Sequence, residues 1–401
     1  MPDKNNSSLP VIVAGGGIGG LTAALALSRV GVSVRVFEQA DAFGEIGAGI
    51  QIGPNAFYVF EKLGLTEQIN AVAAFPDALV VKDSLSGETI LNAPVGETAR
   101  AHFGYPYGLV HRSDLHGVLL QACSVSPLIS LSASTKVVDF EDKGSHVSVQ
   151  THAGETHDGT ALVAADGLWS RIRERIVGDG KPHVSGHIAY RAVLPIASVA
   201  DSDGTNNMTL WAGPKTHLVH YPLRRGELYN LVAVFHSDRY EEGWDTYGEP
   251  QELELRFRDT CSQVQDMLAM IESWRMWVLC DREPISEWSR GRVTLLGDAA
   301  HPTLQYMAQG ACMAMEDGVC LANMVRACNG DYENAFVRYQ KTRYLRTARV
   351  QLTSRLYGQV YHASGATRDL RNAYLAARTP EQYLESNAWL YASEEVEKHT
   401  T

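Results

Sequence analysis

The feature that most constrains this chain is a glycine-rich turn that follows a short apolar segment. Residues 11–14, Val-Ile-Val-Ala, are typical of a buried strand, and the next six residues are Gly-Gly-Gly-Ile-Gly-Gly. Gly15, Gly17 and Gly20 fit the pattern GxGxxG, in which the first glycine permits a tight turn and the second lets the backbone approach a pyrophosphate. The third lets helix and strand pack closely, with the phosphates at the helix N-terminus. The pattern predicts a β-α-β dinucleotide-binding unit.

The residues after this turn complete the unit. Residues 21–30 are rich in alanine and leucine and predict a helix that ends at Gly31. Residues 32–38 predict the second strand. Glu38 lies at its end, where a carboxylate accepts hydrogen bonds from ribose hydroxyls. Strand, helix and acid together predict a dinucleotide site, and the alternative is a glycine-rich turn beside a surface glutamate.

A second strand-to-turn junction lies far downstream. Residues 293–296, Val-Thr-Leu-Leu, predict a strand that rejoins the first sheet, and Gly297 and Asp298 follow it. We expect Asp298 at the start of a helix, where its carboxylate bonds ribityl hydroxyls while the helix amides face a flavin. An aspartate that only caps that helix is the alternative. The fingerprint alone fits NAD or FAD, but the two junctions in one chain favour bound FAD.

Composition limits the class of protein. The 401 residues suffice for two or three domains, and 45% hydrophobic with 20% charged residues is ordinary for a soluble globular enzyme. A net charge of −11 disfavours nucleic acid and anionic membranes as partners. No apolar run approaches the roughly 20 residues of a membrane span, and the first ten residues carry no signal core. Six cysteines without a CxxC pair indicate neither zinc nor disulfides, so we expect no metal and a cytoplasmic location.

The order of the patterns predicts an α/β fold. It comprises a Rossmann-like FAD-binding domain with a parallel sheet, an inserted mixed or antiparallel substrate domain, and a C-terminal helical region. We place the FAD-binding domain at 1–75, 100–180 and 282–345, the substrate domain at 76–99 and 181–281, and the helical region at 346–401. Residues 186–235 are rich in predicted strands, whereas 252–270 predict one helix and 311 onward predict several.

Two further segments have simple interpretations. Residues 44–54 are punctuated by glycines and predict a loop. Arg338, Lys341, Arg343, Arg346 and Arg349 form a basic run on a predicted helix. We interpret this run as a solvated face balanced by acids, in preference to a nucleic-acid or membrane interface.

Three motifs in a fixed order resemble those of the FAD-dependent aromatic hydroxylases, the class A flavoprotein monooxygenases. They are GxGxxG with Glu38, then Asp166-Gly167 with Ser170 and Arg171, then Gly297-Asp298 with His301-Pro302. The resemblance extends over about residues 9–350. It implies tightly bound FAD and NADH as a transient co-substrate without a domain of its own. The chain agrees in having no second GxGxxG after a predicted strand.

The resemblance also assigns cofactor contacts. Asp298 would hold the ribityl chain, Arg112 would reach the pyrophosphate, and the Asp166 segment would support both FAD and the nicotinamide cofactor. The segment with Gly49 and Gln51 would border the isoalloxazine. The full implied set is Gly15, Gly17, Gly20, Glu38, Gly49, Gln51, Arg112, Asp166, Asp298 and Ala311.

Residues 217–223, 281–285 and 302–311 resemble, within this family, the enzymes that hydroxylate 3-hydroxybenzoate at carbon 6. That resemblance implies an aromatic substrate lined by His217, Tyr221 and Gln305, with 2,5-dihydroxybenzoate (gentisate) as the product. Salicylate 1-hydroxylases, which release CO2 and form catechol, share much of the scaffold and are the alternative, together with related hydroxybenzoate hydroxylases.

The implied reaction needs a base, a polar contact for the carboxylate and a dry pocket. Reduced flavin and O2 give a C4a-hydroperoxide, whose electrophilic oxygen requires a nucleophilic ring. Deprotonating the phenol increases the electron density at the para carbon, which is carbon 6 of 3-hydroxybenzoate. We predict His217 as the base because imidazole titrates near working pH. Tyr221 falls on the same face of the strand, whereas His220 faces the other side. Gln305 is expected to hydrogen-bond the substrate, and His301 to pack beneath the flavin.

Other classes stay open at this point. In a two-domain NAD dehydrogenase the Gly297-Asp298 junction would have no role in cofactor binding, and the purified protein would be colourless because it holds no flavin. A membrane-associated monooxygenase usually needs an apolar tail, whereas residues 394–398 are charged. A binding protein without catalysis would consume no O2 with any phenol. A homodimer built through the C-terminal helices is possible from the sequence, as is a role for these helices in bracing the flavin domain.

Overall fold

The computed structural model describes residues 9–44, 47–199, 206–237 and 247–401. Glu45 and Ile46 belong to the glycine-punctuated segment and lie outside the described residues. The GxGxxG turn, the Asp166 segment and the Gly297-Asp298 junction all lie within them.

The strands of the described residues extend from residue 11 to residue 295. They are β1 (Val11–Ala14), β2 (Val34–Phe37), β3 (Gly49–Ile52), β4 (Ala78–Asp83), β5 (Thr89–Pro94), β6 (Gly108–His111), β7 (Ile129–Ser132), β8 (Val137–Asp142), β9 (Val147–Thr151), β10 (Thr156–Gly159), β11 (Ala161–Ala164), β12 (His183–Pro195), β13 (Met208–Gly213), β14 (Thr216–Leu223), β15 (Leu228–His236), β16 (Arg275–Asp281), β17 (Ser289–Arg290) and β18 (Val293–Leu295).

The helices alternate with the strands in the first half and dominate the end of the chain. They are α1 (Ile18–Arg29), α2 (Pro54–Lys62), α3 (Thr66–Val72), α4 (Glu97–Phe103), α5 (Arg112–Ser124), α6 (Arg171–Ile176), α7 (Pro250–Phe257), α8 (Ser262–Ala269), α9 (Gly310–Ala327), α10 (Tyr332–Tyr361), α11 (Gly365–Ala376), α12 (Pro380–Tyr391) and α13 (Ser393–Lys398).

A six-stranded sheet carries the glycine-rich turn. Its order is β17-β18-β11-β1-β2-β7, and every pairing is parallel except that between β17 and β18. β1 lies inside the sheet and is buried along its whole length, as expected of a short apolar strand in a parallel sheet. The predicted return of the second junction to the first sheet is therefore observed, because β18 pairs with β11.

A seven-stranded sheet forms the second layer. Its order is β16-β12-β15-β14-β13-β4-β5, antiparallel except for the parallel pair β13 and β4. Tyr190, Trp211 and Phe235 on one face pack with α7 and α8 in one apolar cluster. The opposite face meets the segment around Tyr306 and the C-terminal helices. The sheet uses residues 78–94 and 183–281, and the division into domains stays a prediction.

Two local expectations differ from the structure. The predicted helix over 252–270 is divided into α7 and α8, because the intervening residues bond elsewhere. The Cys261 amide donates to the Ser84 carbonyl at 2.7 Å, and the Thr260 hydroxyl donates to the Phe257 carbonyl. The predicted loop over 44–54 contains β3, which pairs antiparallel with β6.

The C-terminal helices brace the seven-stranded sheet. Asp83 at the end of β4 is buried and accepts hydrogen bonds from Arg368, Arg371 and Asn372 of α11. Burial opposes ionisation of Asp83, but these partners lower its pKa well below the usual value. None of the described helices combines the length and apolar character that a membrane crossing needs.

The basic run on α10 is only partly the solvated face that its sequence predicts, because Arg338, Lys341 and Arg349 are exposed but the other two residues are not. Arg343 and Arg346 are buried, as are Glu316 and Asp317 of α9. Arg343 donates to Asp317 at 2.7 Å and to Glu316 at 2.6 Å, and Arg346 donates to both oxygens of Glu316 at 2.7 and 2.8 Å. We call these four residues the buried ionic cluster. Complete hydrogen bonding offsets the cost of desolvating the charges.

Replacing Glu316 with glutamine should destabilise the fold strongly. The variant leaves Arg343 and Arg346 buried with Asp317 as the remaining acid of the cluster, and removing one partner of a buried ion pair costs about 3–5 kcal/mol. Denaturant unfolding of the FAD-loaded protein measures the loss. The exposed Glu97, changed to glutamine, is the control and should shift stability by less than about 0.5 kcal/mol.

The effect should also depend on pH. Burial opposes ionisation of Glu316, but the charges of Arg346 and Arg343 outweigh it and lower its pKa from 4.5 to about 2. A lowered folded-state pKa stabilises the fold above the unfolded pKa, and this stabilisation is lost as the pH falls toward 2. The difference between wild type and Glu316→Gln should shrink over that interval, and a constant difference would contradict this account.

Candidate active site

The glycine-rich turn has almost no space beside its backbone. Gly15 has a φ of 110°, and a Cβ there would lie 2.2 Å from the Ala165 carbonyl oxygen. A Cβ at Gly20 would lie 1.9 Å from the Gly15 carbonyl oxygen. Both positions therefore require glycine, which brings β1, α1 and the end of β11 into direct backbone contact. The turn is shaped as the fingerprint predicts.

The start of α1 offers an anion site. Gly17 precedes the helix, and no side chain caps the first turn, so its amides are available to a pyrophosphate. Glu38 lies beside the turn just after β2. Its carboxylate accepts hydrogen bonds from the Gly16 amide at 2.7 Å and the Ala40 amide at 2.9 Å. These bonds fix the carboxylate next to the turn, as a ribose contact requires.

The predicted flavin-bordering segment rests on the seven-stranded sheet. The Gly49 amide donates to the Asn230 side-chain oxygen at 2.8 Å, and a Cβ at Gly49 would lie 2.6 Å from the Tyr221 ring. Gln51 accepts a hydrogen bond from the Tyr107 hydroxyl at 2.7 Å. The Arg112 amide donates to the Ala48 carbonyl at 2.9 Å. This segment therefore joins the two layers of the molecule.

Asp298 lies in a 3-10 turn, Gly297–Ala299, and not at the start of a long helix as predicted. The long helix α9 begins at Gly310, with Ala311 in its first turn. The Asp298 Oδ1 atom lies 3.7 Å from the Cβ position of Gly310, so the carboxylate and the α9 N-terminus are neighbours. No side chain caps α9, and its first amides therefore face the same region.

The Asp166 carboxylate has one oxygen without a hydrogen-bond donor among the described residues. Its Oδ1 atom is buried without a hydrogen-bond partner among the described residues, while Oδ2 accepts from the Arg171 amide at 3.1 Å. Burial raises the pKa of Asp166 against the hydrogen bonds that lower it. A buried acceptor without a partner is costly, and a ribose or ribityl hydroxyl would supply the missing donor. The residues of this groove therefore fit FAD.

An arginine that the sequence did not single out lies on the substrate side. Arg191 of β12 donates a short hydrogen bond to the Gln305 side-chain oxygen, and its guanidinium lies 5.4 Å from the Trp277 ring centre. Its Nε atom is buried without a partner among the described residues. Burial raises the pKa of Tyr221 to about 12, and the charge of Arg191 opposes that rise. Arg191, Tyr221 and Gln305 thus form one set.

Arg191 also borders a cleft of about 490 Å³. Gly47 and Ala48 line the same cleft, whereas His217, Tyr221 and Gln305 do not. The cleft therefore connects the predicted flavin loop with Arg191.

His217 has other neighbours than Tyr221. Both residues are on the same face of β14 as predicted, but four residues of strand separate their Cα atoms by about 13 Å. His217 Nδ1 bonds His362 Nε2 at 2.7 Å, and its ring lies 5.5 Å from that of Tyr306. Burial lowers the pKa of His217 to about 3, so the expectation of titration near working pH is not met.

Two other histidines behave as expected. His220 points to the opposite face, where it bonds the Trp211 indole at 2.9 Å and the Tyr229 hydroxyl at 2.6 Å. His301 bonds Asp317 at 2.6 Å and packs against Trp288. Both side chains are occupied by structural contacts.

Comparison with known proteins identifies the family. A family model described as an FAD binding domain matches residues 8–350. The chain belongs to this FAD-binding family. The fold class and the FAD prediction are thereby confirmed.

Individual members of this family resemble the chain closely. A 3-hydroxybenzoate 6-hydroxylase from Polaromonas naphthalenivorans (strain CJ2) is 48% identical over 387 residues, 96% of each chain. One from Klebsiella oxytoca is 42% identical over 384 residues, again 96% of each. Among solved structures, Klebsiella pneumoniae HpxO complexed with FAD and uric acid matches with a TM-score of 0.86. It is 25% identical, and the match covers 98% of both chains. A salicylate hydroxylase substrate complex matches with a TM-score of 0.83 at 25% identity, also over 98% of both.

Replacing Asp298 with alanine should give a protein that loses FAD. The variant removes the acceptor beside the α9 N-terminus, and one hydrogen bond to a charged group contributes about 1.5–3 kcal/mol. We therefore expect FAD to bind about 10- to 100-fold more weakly, measured by absorbance after dialysis and by flavin titration. Asp259, an exposed aspartate just after α7, is the matched control when changed to alanine. Full flavin content in Asp298→Ala would show that this contact is dispensable.

Proposed function

We propose that this protein is an FAD-dependent monooxygenase that converts 3-hydroxybenzoate to 2,5-dihydroxybenzoate with NADH and O2. Two curated relatives above 40% identity over nearly the whole chain carry that activity in their names. The observation that carries the proposal is the set of Arg191, Tyr221 and Gln305 next to the flavin loop. It offers a half-buried cation and neutral donors, as an aromatic carboxylate requires.

Arg191 is the proposed carboxylate contact. Arg191 is half-buried at the cleft, and this partial burial strengthens its interaction with an anion because the effective dielectric is lower. Its Nε atom lacks a partner, so a carboxylate oxygen can accept from it without breaking an existing bond. Gln305 bonds another nitrogen of the same guanidinium and holds it in place. Arginine matches a carboxylate with two parallel hydrogen bonds.

His217 is the proposed acceptor of the phenol proton. Burial and the neighbouring His187 lower its pKa to about 3, so the ring is neutral at working pH and retains a lone pair. Its Nδ1 atom is held by His362, which leaves Nε2 as the nitrogen for the substrate. Loss of the phenol proton would raise the electron density at the ring carbon para to the phenol oxygen. His217 can accept the proton at Nε2 only in the tautomer whose Nδ1–H donates to His362 Nε2.

The rings of Tyr306 and Tyr361 lie beside His217 and belong to an apolar cluster. Leu304 and Tyr306 are buried in the same cluster as Val232 and Val234, and Val219 packs against them. Excluding water favours transfer of oxygen to the ring over release of peroxide. When bound, FAD takes a hydride from NADH and activates O2 as the electrophilic oxygen donor. The protein binds, orients and deprotonates the ring.

Product analysis tests the proposal. The purified protein is incubated with NADH or NADPH and either 3-hydroxybenzoate or salicylate, and products are identified by mass spectrometry. We expect gentisate from 3-hydroxybenzoate, without CO2, and faster oxidation of NADH than of NADPH. Catechol and CO2 from salicylate would support the alternative, a salicylate hydroxylase, which the similarity to the salicylate hydroxylase structure favours. Peroxide without a hydroxylated product from either acid would contradict both.

Changing Arg191 to glutamine should weaken the binding of 3-hydroxybenzoate. Loss of a charged hydrogen bond costs about 1.5–3 kcal/mol, so the dissociation constant should rise about 10- to 100-fold. Substrate-induced change in flavin absorbance measures it. Arg290, an exposed arginine of β17, is the matched control when changed to glutamine. Phenols without a carboxylate should bind both proteins alike, and an equal loss for them would contradict the assigned contact.

A homodimer stays a proposal. Leu345, Leu352 and Leu356 are exposed and lie on one face of α10, where a second copy of the chain could pack. Sedimentation equilibrium of the FAD-loaded protein decides it. A mass near 43.9 kDa at all concentrations would exclude the dimer.

A further inference from the structure

Three histidines far apart in the sequence come together beside the seven-stranded sheet. His187 lies on β12, His236 at the end of β15, and His362 directly after α10. Each offers a ring nitrogen, and these three atoms all lie within 4.8 Å of one another. The sequence does not indicate this group, because the spacing of the three histidines matches no metal-binding motif. The cysteine spacing that indicated no zinc carried no information about these residues.

Hydrogen bonds orient the three rings. The Tyr306 hydroxyl engages Nδ1 of His187 in a short hydrogen bond, which leaves Nε2 of that ring for another partner. His362 Nε2 is held by His217, so its Nδ1 atom points to His236 Nε2 at 2.9 Å. The His187 and His236 rings are stacked with centres 4.2 Å apart. The supporting bonds on the second nitrogen are those that orient histidines in metal sites.

The chemistry of the group suits a borderline cation. Burial is the main cause that lowers the pKa of each of the three imidazoles, and it favours their neutral form. Neutral imidazole is the metal-binding form, but the hydrogen bond between His236 Nε2 and His362 Nδ1 places a proton on one of these two nitrogens, which a cation must displace. His187 and His236 are half-buried, which leaves an approach from solvent, whereas His362 is buried.

We propose that His187, His236 and His362 form a binding site for a divalent transition metal, with Zn²⁺ as the representative ion. Nitrogen ligands bind zinc at about 2.0–2.1 Å, which sets them roughly 3.4 Å apart in a tetrahedral site. The observed nitrogens lie within 4.8 Å of one another, with one pair 2.9 Å apart, and the stacked His187 and His236 rings would rotate to direct their lone pairs at one ion. Three histidines leave the fourth position open for water or an anion. None of the three contacts the substrate in the proposed function. An ion on His362 Nδ1 would place the proton of that ring on Nε2, facing His217 Nδ1, so the metal-bound form and the form in which His217 Nε2 accepts a proton are alternative states.

Metal binding by the FAD-loaded protein tests the site without any substrate. Tag-free protein is treated with EDTA to remove metal and is then dialysed against ZnCl2. The buffer contains a reductant that keeps the cysteines reduced and does not bind metal. Bound zinc is quantified by elemental mass spectrometry. We expect one zinc ion per chain. His187→Asn and His236→Asn should each weaken binding at least about 10-fold, since even supporting residues change affinity by that factor.

Matched controls separate this site from others. His152 is exposed on a turn, and His152→Asn should bind zinc as the wild type does. Cobalt(II) should give the visible spectrum of a tetrahedral nitrogen site without a thiolate charge-transfer band, because the free cysteines take no part. Less than one ion per chain, unchanged binding in both variants, or a thiolate band would overturn the proposal. Flavin content verifies that each variant is folded, and this assay is independent of whether the protein hydroxylates a phenol.

Discussion

The buried ionic cluster fixes the parts of the molecule that meet the flavin. Besides its bond to Arg343, Asp317 accepts from the Gly297 amide at 3.1 Å and bonds His301, so the turn that carries Asp298 is tied to the middle of α9. Asn55 donates to Glu316 at 2.7 Å and to Gln309 at 2.9 Å, just before α9 begins. The position of the α9 N-terminus therefore depends on charges that are themselves far from solvent.

The same cluster couples the C-terminal helices to the flavin domain. Arg346 donates to the carbonyls of Trp389 and Leu390, each at 2.8 Å, near the end of α12. Asp83 binds α11 to the seven-stranded sheet in a similar way. Of the two roles considered for these helices, bracing of the fold is what their contacts support. A substitution in the buried ionic cluster would therefore alter both the position of the C-terminal helices and the position of the turn that carries Asp298.

The sequence predicted the parts whose signal is local. Gly15 and Gly20 are required by close backbone contacts, and Glu38 follows the strand that places it beside the turn, so short patterns suffice to find them. The sequence identified Asp298 as a candidate residue, but the predicted position at the start of a helix was wrong. Asp298 lies in a 3-10 turn, and a loop separates this turn from α9. Arg343 and Arg346 were misread because their partners are 26 to 30 residues away, and a basic run does not reveal burial. The three histidines and Arg191 depend on sheet pairing, which no local pattern records.

The two ends of the proposed substrate pocket differ in character. Arg191 supplies a half-buried positive charge next to the flavin loop, whereas His217 is neutral and belongs to a group of histidines at the other end of β14. An aromatic acid with a hydroxyl group would bind with its carboxylate at Arg191 and its phenol toward His217. The most direct test is a crystal structure of the FAD-loaded protein with 3-hydroxybenzoate. The account predicts the carboxylate within hydrogen-bond distance of the Arg191 guanidinium and the phenol oxygen at His217 Nε2, and a carboxylate at the histidines would contradict it.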